Sequence, residues 1–291
     1  MSNIKTVGVV GSGTMGTGIA IVMARAGLKT IVLDTRQDAL DRSRDQAAAF
    51  LTKSVARGKL EAGQDQAIMA NWHGTTQAED MAECDLVIEA VFEDLVVKHE
   101  LFSRLDKVCP EHTIFATNTS TISITEIAGG SGRADRVVGM HFCLPAQLMK
   151  LVEMSPGLIT SEDTFNTAWA FCEMIGQKPV KTRDMPGFIL NYFLIPWHND
   201  VINMVDQGVA EPADIDLAVK TALGYPLGPL ELLDMVGMDT QKLLAEAMHN
   251  LTHEPRAACP PLVKRMIGAG KLGRKSGAGF HVYDNNKIFG A

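Results

Sequence analysis

Three things are scarce in this 291-residue chain, and each scarcity argues against a class of function. The first is cysteine: Cys84, Cys109, Cys143, Cys172 and Cys259 are odd in number, widely spaced and without a C-x-x-C pair. That pattern argues against a disulfide framework or a structural zinc site and fits a reducing compartment. The second is basic charge. Twenty-seven Lys and Arg against 34 Asp and Glu leave a net charge of −7. A nucleic-acid or membrane-surface binder normally carries a basic excess, so neither partner is expected. The third is a long hydrophobic run. The longest, around Phe188–Trp197, is broken by Asn191 and Pro196 and has about half the length of a membrane span. The first residues run straight into a strand-like stretch without a signal-peptide pattern, so a cytoplasmic location is expected. Internal repeats and low-complexity segments are also absent.

What remains is an ordinary globular composition, 46% hydrophobic and 21% charged, at a length that predicts two domains. Ile4–Val10 (I-K-T-V-G-V-V) reads as a buried parallel strand. Further strands are expected at Thr30–Leu33, Asp85–Glu89, Thr113–Thr117, Val137–His141, Leu151–Met154 and near Pro179–Lys181. Helical spacing fills Thr14–Gly27, Gln37–Arg57, Leu95–Lys107 and Asp163–Ile175 between them. This alternation predicts an α/β, doubly wound, mostly parallel sheet with helices on both faces. After Met185-Pro186-Gly187 the texture turns helical, with segments at Phe188–Gln207, Pro212–Leu223, Leu230–Leu251 and Pro261–Ile267. The expected division is a first domain over 1–185 and a smaller all-α domain over 186–291.

The stretch V-V-G-S-G-T-M-G sets Gly11, Gly13 and Gly16 between the first strand and the first helix. Gly11 makes the tight turn, Gly13 lets backbone N–H groups approach a pyrophosphate, and Gly16 lets helix and strand pack closely. Thr14 and Met15, which open the helix, belong to the same cofactor-binding turn. Asp34 ends the second strand, 18 residues after Gly16. A carboxylate there accepts hydrogen bonds from the adenosine ribose hydroxyls and repels a 2′-phosphate, which predicts a Rossmann-type domain holding NAD rather than NADP. Arg36, two residues on, could pair with a 2′-phosphate, but Asp34 is expected to dominate.

Hydride transfer from an alcohol needs a base, and histidine suits neutral pH. Of eight histidines, His141 closes a strand (V-V-G-M-H), at the edge where open α/β sheets bind ligands. Glu153 follows twelve residues later in K-L-V-E-M. On an adjacent strand it would hold one imidazole nitrogen, fix the tautomer and stabilise the imidazolium. From spacing alone a buried structural histidine remains open as the alternative. His249 and His253, four apart, lack the H-E-x-x-H glutamate and a third ligand, so no metal is expected.

Several longer stretches carry a resemblance. They include G-S-G-T-M-G-T-G-I-A (11–20), I-E-A-V-F-E-D (88–94), T-N-T-S-T (117–121), M-K-L-V-E (149–153), D-M-P-G-F-I-L-N (184–191) and G-R-K-S-G-A-G-F (273–280). With these the chain resembles, over essentially its whole length, the L-3-hydroxyacyl-CoA dehydrogenase family, including bacterial 3-hydroxybutyryl-CoA dehydrogenases. The resemblance implies NAD-dependent, reversible oxidation of an L-3-hydroxyacyl-CoA to the 3-ketoacyl-CoA. It makes His141 the catalytic base, Glu153 its partner, Ser120 the hydroxyl on the reacting oxygen, and Asn191 the amide that completes the cluster from the second domain. It sets Glu93 and Lys98 near the cofactor ribose and nicotinamide, with Asn118 in the same loop, and implies a homodimer through the helical domain. Lys53, Arg57 and Lys59 fall where the family grips coenzyme A, and read equally as a solvated helix face. One departure stands out: Leu144 occupies the place of a family asparagine, which puts the acyl substrate in question. Two rivals remain, a dehydrogenase of a CoA-free hydroxy acid or sugar acid on the same scaffold, and a non-catalytic NAD-binding structural protein.

Overall fold

The computed structural model describes residues 4–283. The chain divides into two compact units, Met1–Phe188 and Ile189–Ala291. In the first, the strands are β1 (Thr6–Val10), β2 (Lys29–Leu33), β3 (Trp72–Thr75), β4 (Leu86–Glu89), β5 (Ile114–Thr117), β6 (Val137–Phe142), β7 (Leu151–Pro156) and β8 (Lys178–Lys181). The helices are α1 (Thr14–Arg25), α2 (Gln37–Ala56), α3 (Gln64–Met69), α4 (Leu95–Asp106), α5 (Ile124–Gly129) and α6 (Glu162–Met174). The strands form one sheet in the order β3-β2-β1-β4-β5-β6-β7-β8, and every pair is parallel except β6 with β7.

The alternation along each strand builds two cores. Val7 and Val9 of β1 and Leu86 and Ile88 of β4 face one side, packing with Ile19 and Met23 of α1 and Phe171 of α6. Val10, Val87 and Phe115 face the other, against Phe102 and Leu105 of α4 and Ile127 of α5. Burial on both faces is why these strands read as continuous β-branched runs. The antiparallel β7 follows from chain length: the stretch from Cys143 to Lys150 is too short for a parallel crossover, which needs a dozen or more residues. β3, α3 and α5 were not expected. β3 (W-H-G-T) is an edge strand that buries only Trp72, so it carries almost no hydrophobic period.

The second unit consists of α7 (Leu190–Asp206), α8 (Pro212–Leu223), α9 (Pro229–Val236), α10 (Met238–Thr252) and α11 (Pro261–Gly268) around Val201, Ile202, Leu230, Leu233, Met238 and Val263. Prolines open α8, α9 and α11, where a missing N–H costs nothing. The single helix expected over Leu230–Leu251 is two helices, because the chain turns at Gly237 through φ 100°. Among the described residues no helix is long and apolar enough to cross a membrane.

Candidate active site

The turn from β1 to α1 is shaped for a ligand's backbone approach. Gly11 has φ 94°, and a Cβ there would stand 2.6 Å from the Ala90 carbonyl oxygen. A Cβ on Gly16 would collide with the Gly11 carbonyl at 1.7 Å. At Gly13 nothing lies within 4 Å, so its surface is open. α1 starts at Thr14, followed by Met15, with no side-chain cap and no acidic residue in its first turn, which leaves its N-terminal dipole to an anion. A cavity of about 920 Å³ opens here, lined by Ser12, Gly13, Asp34, Arg42, Phe92 and Leu101 among others. Its size and its uncapped helix fit the adenosine and phosphate portion of a dinucleotide.

Asp34 is pre-set at the rim of this cavity. Its Oδ2 accepts from the Ser12 N–H (2.8 Å) and hydroxyl (2.6 Å), and its Oδ1 from the Arg36 N–H (3.1 Å). Partial burial pushes the carboxyl up, but the Ser12 and Arg36 bonds and the Arg36 charge outweigh it and hold the pKa below the usual carboxylate value. Ser12 was not singled out from sequence, since it occupies an unspecified position of the glycine motif.

At the far end of the same sheet edge, β6 and β7 bring His141 and Glu153, the expected acid–base pair, together. Their register sets His141 directly opposite Glu153. Directly opposed residues of an antiparallel pair share a face, and His141 Nδ1 donates to Glu153 Oε2 at 2.7 Å. Glu153 is fully buried. A carboxylate accepting at Nδ1 keeps the neutral ring's proton there and turns the Nε2 lone pair outward. The Ser120 hydroxyl lies 3.0 Å from that Nε2, and the Phe188 ring packs on the imidazole with centroids 5.5 Å apart.

Ser120 stands on a loop held by a buried ionic network. Lys98 and Glu89 are 1% and 0% exposed, and Lys98 Nζ lies 2.7 Å from Glu89 and 3.3 Å from Glu93. Glu93 Oε1 accepts from the Thr119 hydroxyl, the Ser120 N–H, the Thr121 N–H and the Thr121 hydroxyl. Burial pushes Glu93 up, yet Lys98 and these donors hold its pKa below the usual value. Asn118 Oδ1 accepts from the Phe142 N–H and so ties the loop to β6. Glu89 went unnoticed in the sequence. The available signal was a charged residue ending the apolar run D-L-V-I-E, and the structure gives it Thr117 and Val91 as further donors.

Of the remaining expected residues, Asn191 is half-buried in the first turn of α7, in the second unit. Lys53, Arg57 and Lys59 are exposed at the end of α2 and the turn after it. Lys53 is about 24 Å along that helix from Gln37, the end near Asp34. Leu144 is 49% exposed just beyond β6. Its neighbour Cys143 is pushed up to about 11 by burial and by Glu153, so the thiol stays protonated and is a poor nucleophile.

Comparison with known proteins gives consistent matches. Residues 6–185 match the family described as "3-hydroxyacyl-CoA dehydrogenase, NAD binding domain" and residues 187–283 "3-hydroxyacyl-CoA dehydrogenase, C-terminal domain". The chain is 40% identical over 276 residues to the probable 3-hydroxybutyryl-CoA dehydrogenase of Deinococcus radiodurans, covering 95% of this chain and 99% of that one. It is 41% identical over 288 residues to human mitochondrial hydroxyacyl-coenzyme A dehydrogenase, covering 96% and 91%. The crystal structure of M. tuberculosis FadB2 superposes with a TM-score of 0.94 at 39% identity, over 97% of this chain and 99% of that one.

Proposed function

The chain belongs to the 3-hydroxyacyl-CoA dehydrogenase family, and from that premise we propose how its own residues carry the reaction. It is an NAD-dependent enzyme that interconverts an L-3-hydroxyacyl-CoA and the corresponding 3-ketoacyl-CoA. Gly11, Gly13, Thr14, Met15 and Gly16 hold the cofactor's phosphates, and Asp34 holds its adenosine ribose. Glu93, Lys98 and Asn118 shape the wall nearest the reacting end. NAD⁺, when bound, supplies the hydride acceptor.

In the oxidative direction His141 Nε2 takes the substrate hydroxyl proton as the carbon–oxygen double bond forms. Glu153 keeps the ring in the tautomer that can accept and stabilises the imidazolium that results. Ser120 donates to the reacting oxygen. The observation that carries this reading is the buried carboxylate at 2.7 Å from Nδ1, paired with a hydroxyl at 3.0 Å from Nε2. His141→Ala should lower kcat by about 10²–10⁴-fold while NADH affinity, followed by fluorescence titration, stays within about twofold. Near-normal turnover would refute the assignment.

The connectivity Ser120–His141–Glu153 is also that of an acyl-transfer triad, and the backbone decides between the two. A nucleophilic serine needs free N–H groups for an oxyanion, yet the Ser120 and Thr121 N–H groups both donate to Glu93. Acyl-CoA hydrolysis should therefore be undetectable in a free-thiol assay.

The finer setting belongs to the same proposal. The second unit exposes Tyr192, Phe193, Leu217, Leu223 and Leu243, apolar surface suited to a homodimer contact. Sedimentation at micromolar concentration should give a dimer. The five free thiols fit a cytoplasmic enzyme. Lys53, Arg57 and Lys59 would meet the coenzyme A phosphates, so reversing their charge together should raise KM for acyl-CoA without changing kcat.

A further inference from the structure

The loop that carries Ser120 has a second anchor, remote in sequence from the first. Asp184 Oδ2 accepts from the Ser123 hydroxyl (2.9 Å), the Thr125 N–H (2.9 Å) and the Thr125 hydroxyl (2.6 Å), and its Oδ1 accepts from the Ile124 N–H (2.8 Å). One carboxylate thus saturates the start of α5 from a segment sixty positions further along the chain. Three residues beyond it, the Gly187 N–H donates to the carbonyl of Ser120 itself, at 3.1 Å. Phe188 then places its ring on His141 and is buried with φ 49°. A bulky residue takes such a left-handed conformation only where its surroundings hold it there.

We propose that Asp184 is a positioning residue for the reaction: by clamping residues 184–188 to the start of α5, it fixes Ser120 and the His141 ring relative to each other. Two short segments meet at the catalytic pair, and neither contains His141 or Glu153. Ser120 reaches Nε2 from the loop, and Phe188 braces the imidazole from the other segment. The Gly187–Ser120 bond joins the two, and the Asp184 bonds set the distance over which it can form. Releasing the clamp lets the hydroxyl and the ring drift independently. A misplacement on the order of 1 Å in such a constellation costs about 10²-fold in rate. The cofactor turn at Gly11–Gly16 makes none of these contacts, so its affinity is insulated from the clamp.

This inference rests on the dehydrogenase reading for its kinetic arm and on exchange measurements for an arm independent of it. In Asp184→Asn the new amide N–H group faces backbone N–H donors, so the clamp opens with little change in volume. With acetoacetyl-CoA and NADH, kcat should fall by about 10–100-fold, with KM for acetoacetyl-CoA within about threefold and the NADH dissociation constant within about twofold. Amide hydrogen exchange should rise together in 120–125 and 185–188. A kcat within twofold of wild type overturns the proposal. So does an NADH affinity that falls in step with kcat, since that marks general loss of the site. Faster exchange in only one of the two segments overturns it as well. Should Asp184→Asn fail to fold, Ser123→Ala removes a single donor, and an unchanged kcat there is equally fatal. If the wild-type protein turns over no 3-ketoacyl-CoA, the dehydrogenase reading fails, and the clamp is judged by exchange alone.

Discussion

Replacing Lys98 with methionine isolates the buried ionic network under the loop that carries Ser120. The ammonium sits 2.7 Å from a glutamate that is 0% exposed, while its second partner, Glu93, is 38% exposed and 3.3 Å away. Methionine keeps most of the side-chain volume, so the main loss is charge. It leaves Glu89 as a buried carboxylate supported only by the Val91 N–H and the Thr117 hydroxyl among its described bonds. Removing one partner of a buried pair costs about 3–5 kcal/mol. At about 2–4 °C per kcal/mol for a protein of this size, Tm should fall by roughly 6–20 °C. Glu93 loses the charge that holds its pKa down, and with it part of its grip on the Ser120 N–H. Turnover at a temperature well below the new midpoint should therefore also drop, by about tenfold. The double variant Glu89→Gln, Lys98→Met removes both buried charges and should recover stability to within about 2 kcal/mol of wild type. Urea denaturation of the four proteins in this cycle gives the coupling directly. A single variant that loses less than about 1 kcal/mol, or a double variant no more stable than the single, would refute the reasoning.

Three further outcomes follow from the structure. Asp34→Ala should weaken NAD⁺ binding by about 10–100-fold, the worth of hydrogen bonds to a charged group, and narrow the preference over NADP⁺; titration with both cofactors checks it. His198 is kept neutral by burial, which pushes its pKa down to about 4 against a weak bond from its Nδ1–H to the Gln241 Oε1. Its unfolded value is higher, about 6.5, so its contribution is full above that pH and is lost as pH falls toward 4, by up to about 3 kcal/mol. Denaturation of His198→Gln across this range should show a flatter acid limb. Cys143 should resist alkylation by iodoacetamide near neutral pH, and fast labelling there would contradict its raised pKa.

Much of the first unit was legible because burial on both faces leaves β-branched runs that announce themselves, as in T-V-G-V-V of β1. β3 was not, since an edge strand with one buried residue has no period to read. The strand at β7 was legible but its antiparallel direction was not, although the short link from β6 implies it. At the site, strand position and chemistry singled out His141 and Glu153 as candidates, but their opposition is a matter of register that no spacing rule fixes. The supports were least visible. Ser12 fills an open slot in a motif about glycines, and Glu89 and Asp184 act through partners far along the chain, Thr117 and the start of α5. Such contacts exist only once the sheet order has brought β4, β5 and residue 184 to one edge.

The most direct test compares initial rates of NADH oxidation by the wild-type protein with acetoacetyl-CoA and with acetoacetate. The two carry the same keto group and differ by the coenzyme A thioester. The account predicts rapid NADH consumption with the thioester and a kcat/KM at least about 10²-fold higher than with the free acid, remote binding energy raising the rate at the reacting carbon. No NADH consumption with any 3-ketoacyl-CoA, or equal efficiency with the free acid, would contradict it.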